Sequence, residues 1–191
     1  RQFDISKIDF DLLSREFAHA RRKNLLLRDL DELVNQQLAK MLFANPQRID
    51  YYDRYQEIID AYNAEQNRAT IEKTFMDLME LASSLDTEQQ RYVREGFSSD
   101  EELSVYDLLF SENLTKQEIE TIKKVSVDLL TKIKQQIAKL DHWTDKQETK
   151  AIVDNLIRNT LWQELPNSYD VSDIQTYQKK IYEYVYMRYP E

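Results

Sequence analysis

The 191-residue sequence is 41% hydrophobic and 32% charged, carries a formal net charge of −9 and contains no cysteine. A chain near this size buries roughly 70% of its unfolded surface, so one large domain or two smaller lobes can form, and a supply of 12 Tyr and 7 Phe excludes a disordered tail. Without cysteine there is no disulfide framework and no thiolate metal site, which suits a reducing compartment, and a cytoplasmic location is the expectation.

One glycine and three prolines, against typical usage of roughly 7% and 5%, favour helices with short polar links. No run approaches the roughly 18 apolar residues of a membrane span, and the N-terminus lacks a basic-then-apolar signal pattern, so no membrane partner is expected. The start at Arg1-Gln2-Phe3 instead of Met reads as a fragment. Asp50 through Asp107 holds 15 acidic and 5 basic residues, a net of −10, which leaves +1 for the remainder. An acidic middle argues against a protein that coats nucleic acid, because phosphate affinity depends on Lys and Arg.

Apolar residues recur at helical spacing along the chain, as in Phe10, Leu13, Phe17 and then Leu27, Leu30, Val34, Leu38 and Met41. The expected fold is all-α, an irregular multi-helix bundle of about nine helices. They begin near Asp9, Leu25, Asp50, Thr70, Thr87, Ser99, Thr115, Thr144 and Ser172. Five starts rest on a Ser or Thr followed three residues later by Glu or Gln, whose side chains satisfy orphan backbone N–H groups reciprocally. These pairs are Thr87 with Gln90, Ser98 with Glu101, Thr115 with Glu118, Thr144 with Gln147, and Ser172 with Gln175.

Asn45-Pro46 ends the second helix, Gly96 supplies a left-handed cap to the fifth, and Pro166 stops the eighth. The longest amphipathic helix runs from Thr115 to about Lys139 and buries a stripe of Ile119, Ile122, Leu129, Leu130, Ile133 and Ile137. No fixed-period repeat points to a solenoid. The whole chain, 1–191, reads as one helical domain, and the link at Leu109 to Asn113 could divide it into lobes 1–110 and 111–191.

A phosphate-cradling loop needs several clustered glycines and a nucleophile elbow needs two, so neither is available. His19 and His142, with no paired histidine motif, do not make a zinc site, and Asp9-Phe10-Asp11 is not continued into a calcium loop. Asp100, Glu101 and Glu102 follow Ser98 and Ser99 and read as the acidic first turn of a helix, where they favour the positive end of its dipole. No catalytic, cofactor-binding or metal-binding residue is assigned to this segment.

Two clusters stand out as candidate binding residues. Arg21, Arg22 and Lys23, with Arg15 and Arg28 nearby, form the densest basic group, suited to phosphate contact or to a solvated helix C-terminus. The last helix turns Ile174, Tyr177, Ile181, Tyr184 and Val185 inward and leaves Tyr182, Tyr186 and Tyr189 on another side. Tyrosines there suit a protein interface, or equally core packing with hydroxyls at the surface.

Several long runs are familiar as a set: Asn45-Pro46-Gln47-Arg48-Ile49-Asp50-Tyr51-Tyr52-Asp53-Arg54-Tyr55, Arg94-Glu95-Gly96-Phe97-Ser98-Ser99-Asp100-Glu101-Glu102-Leu103, and Tyr106-Asp107-Leu108-Leu109. With Leu165-Pro166 and the segment through Tyr184-Val185-Tyr186, they resemble the C-terminal helical region of the R (motor and nuclease) subunit of type I restriction-modification enzymes. The resemblance spans almost the whole chain. It implies a parent subunit that cleaves unmodified DNA after ATP-driven translocation, using ATP and Mg bound outside this segment. It also implies partners: the modification and specificity subunits of the methyltransferase core, the motor domains of the same subunit, and DNA in the full complex.

Overall fold

The computed structural model describes residues 8–191, so Arg1, Gln2 and Phe3, on which the reading of the N-terminus rests, lie outside the described residues. Among those described there are nine α-helices and no strand. The chain divides into two compact units, one ending at Arg94 and the other running from Glu95 to Glu191. The Leu109 to Asn113 link falls inside the second unit.

The first unit is built from α1 (Phe10–His19), α2 (Lys23–Ala44), a 3-10 turn (Pro46–Arg48), α3 (Ile49–Ala64), α4 (Arg68–Gln89) and α5 (Arg91–Arg94). Leu27, Leu30, Val34, Leu38 and Met41 form the buried stripe of α2. It faces Phe75, Leu78, Leu81, Ala82 and Leu85 of α4, with Tyr55 of α3 completing the core. Phe17 fastens α1 by stacking on Phe75, with ring centroids 3.7 Å apart. Burial of each such Leu or Phe contributes about 1.5–3 kcal/mol, which makes this interface the main source of stability in the unit.

A buried ionic cluster closes the same core. Arg48, 3% exposed, donates from Nε to Glu88 Oε1 at 3.1 Å, and the Arg91 Nε donates to the same carboxylate at 3.0 Å. A buried carboxylate persists only when paired in this way. It also explains a departure from the sequence reading: the helix expected to start at Thr87 does not start there. The apolar period of α4 continues through Leu85 to Glu88, and the Thr87 hydroxyl donates back to the Ser83 carbonyl at 3.1 Å. The fifth helix shrinks to the single turn of α5.

The second unit is a four-helix bundle of α6 (Asp100–Leu109), α7 (Lys116–Ile137), α8 (Gln147–Glu164) and α9 (Val171–Arg188). Its short links return each helix alongside its predecessor, and α9 packs on both α8 and α6. The core takes Leu103 and Leu109 from α6, Ile122, Leu129 and Ile133 from α7, Val153 and Ile157 from α8, and Ile181 and Val185 from α9. Tyr169 pins the α8–α9 link by donating its hydroxyl to the Leu109 carbonyl at 2.5 Å.

Capping decides where these helices begin. Thr115 accepts from the Glu118 N–H at 3.1 Å, as read from sequence. For α6 the cap is Ser99, accepting from Glu102, while the Glu102 carboxylate accepts from the Ser98 N–H at 2.8 Å, so the pair is displaced by one residue. Thr144 and Ser172 are not caps. Thr144 instead donates to the Pro190 carbonyl, and α8 begins after Lys146. Asp170 and Asp173 form the capping box of α9, where an ionised side chain makes the stronger bond to a backbone N–H. Gly96 has φ +84°, as expected of a left-handed position after α5.

Candidate functional site

Two tyrosines of α9, Tyr182 and Tyr186, converge on one indole. Trp143, in the α7–α8 link, is fully buried, and His142 before it takes a positive φ of 45° that turns the chain to deliver it. Tyr182 and Tyr186 meet the indole edge-on, with centroids at 6.0 and 5.7 Å. Such edge-to-face pairs add about 0.5–1.5 kcal/mol beyond area burial. The indole Nε1 donates to the Tyr189 carbonyl at 2.6 Å, so the last turn of α9 is tied to the same link.

The inward face of α9 is close to that expected from its spacing: Ile174, Ile181, Tyr184 and Val185 are buried, and Tyr177 is half-buried against Tyr169. The three candidate docking tyrosines are unequal. Tyr189 is half-buried, with Lys134 lying 5.5 Å over its ring and Tyr184 meeting it edge-on. Burial pushes its hydroxyl well above the usual phenol range, with the charge of Tyr184 and the hydrogen bond to Glu101 adding to the shift. Tyr182 is half-buried, and burial with the nearby Asp154 raises its hydroxyl too. Tyr186 remains 40% exposed beside Met187, which is 72% exposed. Tyr186 and Met187 therefore present an apolar surface on a rigid aromatic base. Met187 escaped the sequence reading, since nothing in its spacing separates an outward methionine from a core one.

Glu101 anchors this end of the bundle. It is ion-paired with Lys134 and, at 3.7 Å, with Arg188. Burial works to raise its carboxyl, but the hydrogen bond from Lys134 and the surrounding cations prevail and hold it below the usual carboxylate range. Asp100, Glu101 and Glu102 do form the first turn of α6.

The basic cluster of the first unit is also divided. Lys23 donates to the Phe17 and Ala18 carbonyls at 3.0 and 3.3 Å and lies 4.6 Å over the Phe17 ring, so it caps the C-terminus of α1. Arg21 and Arg22 occupy the α1–α2 link and are exposed. On α7, Lys123 pairs with Glu95, Lys132 with Asp128 and Lys134 with Glu101, whereas Lys116 and Lys124, and Lys139 just beyond its end, are exposed and make no ion pair among the described residues. A continuous phosphate-tracking row on that helix is thereby interrupted. Among the described residues no group of three or more His, Cys, Asp or Glu could hold a metal ion, and no helix is long and apolar enough to cross a membrane.

The family model described as "Type I restriction enzyme HindI endonuclease subunit-like, C-terminal" matches residues 1–189. The chain belongs to this family. It is thus a C-terminal region of a type I restriction enzyme endonuclease subunit, all-helical as the resemblance implied. No curated protein and no solved structure matches it. As a restriction-subunit region it comes from a multi-subunit enzyme.

Proposed function

We propose that this region is a non-catalytic assembly module that docks its subunit onto the methyltransferase core formed by modification and specificity subunits. The parent subunit, on this reading, translocates DNA with ATP and Mg held in its motor domains and cleaves unmodified DNA in a separate nuclease domain, in the cytoplasm. The observation that carries the docking role is the Tyr186 and Met187 surface, mounted on the buried Trp143. Tyrosine gives large contact area at small entropic cost, and an exposed methionine adapts to a partner's contour.

Replacing both by serine in the intact R subunit tests it. Loss of co-purification with the modification and specificity subunits, with ATP hydrolysis by the free subunit retained, is the expected result. Undiminished assembly contradicts this docking surface.

A second reading draws on Arg21 and Arg22, which are exposed in the α1–α2 link and suited to DNA phosphates. It predicts that reversing both charges slows translocation and lowers the salt sensitivity of DNA binding. Unchanged translocation contradicts it.

A further inference from the structure

In the first unit, α1 and α2 border an open groove of about 800 Å³, whose lining includes none of Arg21, Arg22, Tyr186 and Met187. Its floor is aliphatic. Leu26, Leu30 and Leu33 follow one another at helical spacing along α2, and Leu12 and Leu13 face them from α1. Leu12 is 52% exposed, an unusual position for leucine on an amphipathic helix that has a core to pack against. Leu13, Leu26 and Leu33 pack on the core from one side only and stay partly buried.

The lip is acidic on both sides. Asp9 and Glu16 stand on the α1 side, Asp29 and Glu32 on the α2 side, and all four are exposed. Among the described residues that line the groove there is no Lys, Arg or His. Among the described residues Arg28 lies 4.0 Å from Asp29, with both side chains largely in water; such a pair is screened and weak. The Asp9 carboxylate also accepts from the Leu12 N–H as the cap of α1, which leaves its negative charge in place.

We propose that this groove binds a basic amphipathic helix of a partner protein. An aliphatic floor between two helices accepts the apolar stripe of a third, in the helix-in-groove manner. Four carboxylates flanking it select Lys or Arg on the borders of that stripe. The same charges repel nucleic acid, so the groove is not a path for DNA. This surface is distinct from the Tyr186 and Met187 face, and its occupation does not depend on the docking role proposed for that face.

The direct probe is a fluorescein-labelled amphipathic helical peptide of Leu and Lys, titrated with the 191-residue chain by fluorescence anisotropy, alongside its Leu and Glu counterpart. Saturable binding of the Lys peptide, weakened by salt, and none of the Glu peptide is expected. Glu16→Lys with Glu32→Lys should weaken binding roughly tenfold or more. Asp53→Lys with Glu57→Lys, which makes the same change in net charge on exposed positions of α3, should leave it within about twofold. All four positions are solvent-exposed, and circular dichroism reports retained helicity. Equal binding of the two peptides, equal loss in the two double variants, or no binding by the unmodified chain overturns the proposal. So does a chain that light scattering finds dimeric and that Leu12→Asp makes monomeric, because the occupant is then a second copy.

Discussion

The indole nitrogen of Trp143 donates a 2.6 Å hydrogen bond to the backbone carbonyl of Tyr189, 46 positions later in the sequence. Thr144 repeats the link with a bond to the Pro190 carbonyl at 3.1 Å. The end of α9 is thereby fastened to the α7–α8 link, and Tyr186 and Met187 are presented from a fixed backbone. The proposed docking surface, held in this way, would lose less conformational entropy on binding than a frayed terminus.

Trp143→Phe should destabilise the second unit. The change removes the donor to Tyr189 and leaves part of the indole volume empty, a combined loss of about 2–4 kcal/mol. Urea unfolding followed by far-ultraviolet circular dichroism measures it, since Trp162 would confuse a fluorescence signal. A midpoint equal to that of the unmodified chain contradicts the role assigned to the indole.

Glu88→Ala should be among the most damaging changes in the first unit. It takes the carboxylate partner from the guanidinium of Arg48, which is 3% exposed, at a cost of about 3–5 kcal/mol. Arg48→Met with Glu88→Leu removes both charges together and should recover most of that loss. A double variant no more stable than Glu88→Ala would mean the pair is not the cause.

Glu101 sets an acid-side dependence. Its folded carboxyl lies below the ordinary glutamate value of 4.5, so its stabilising contribution is full above that value and fades as pH falls toward the depressed one. Glu101→Gln should therefore be less stable than the unmodified chain at neutral pH, and the gap should narrow as the pH falls below about 4.5. A gap that stays constant with pH contradicts the pairing with Lys134 and Arg188.

Gly96→Ala isolates backbone strain. Nothing lies within 4 Å of where a Cβ would sit, and φ is +84°. The expected cost is the left-handed penalty alone, about 1–2 kcal/mol, without a packing defect. A larger loss would indicate crowding that this geometry does not contain.

What could be read from sequence followed from the range of the forces involved. The helical stripes of α2 and α7 were legible, because burial repeats every few residues and Leu27 through Met41 or Ile122 through Ile137 carry it unbroken. The Thr115 cap was legible because its partner, Glu118, is local. Thr87, Thr144 and Ser172 have the same local signature, yet each gave way to something a short window does not weigh: the continuing burial of α4 toward Glu88, the tertiary bond to Pro190, and the charged caps Asp170 and Asp173. Tyr182, Tyr186 and Tyr189 appeared equivalent by spacing. Tertiary neighbours distinguish them: Trp143 arrives from a separate link against Tyr182 and Tyr186, Lys134 and Tyr184 cover the Tyr189 ring, and Tyr186 is left as the most exposed of the three. Lys23 was drawn from the basic cluster by the carbonyl ends of α1, a contact fixed by the turn between α1 and α2.

Assembly is the most direct point of attack. Size-exclusion chromatography with light scattering, on the 191-residue chain mixed with its purified modification and specificity subunits, asks whether these helices alone bind the core. The docking role predicts co-elution at the summed mass, lost in the Tyr186→Ser with Met187→Ser variant. Elution of the chain at its own mass, apart from a correctly assembled core, would contradict it.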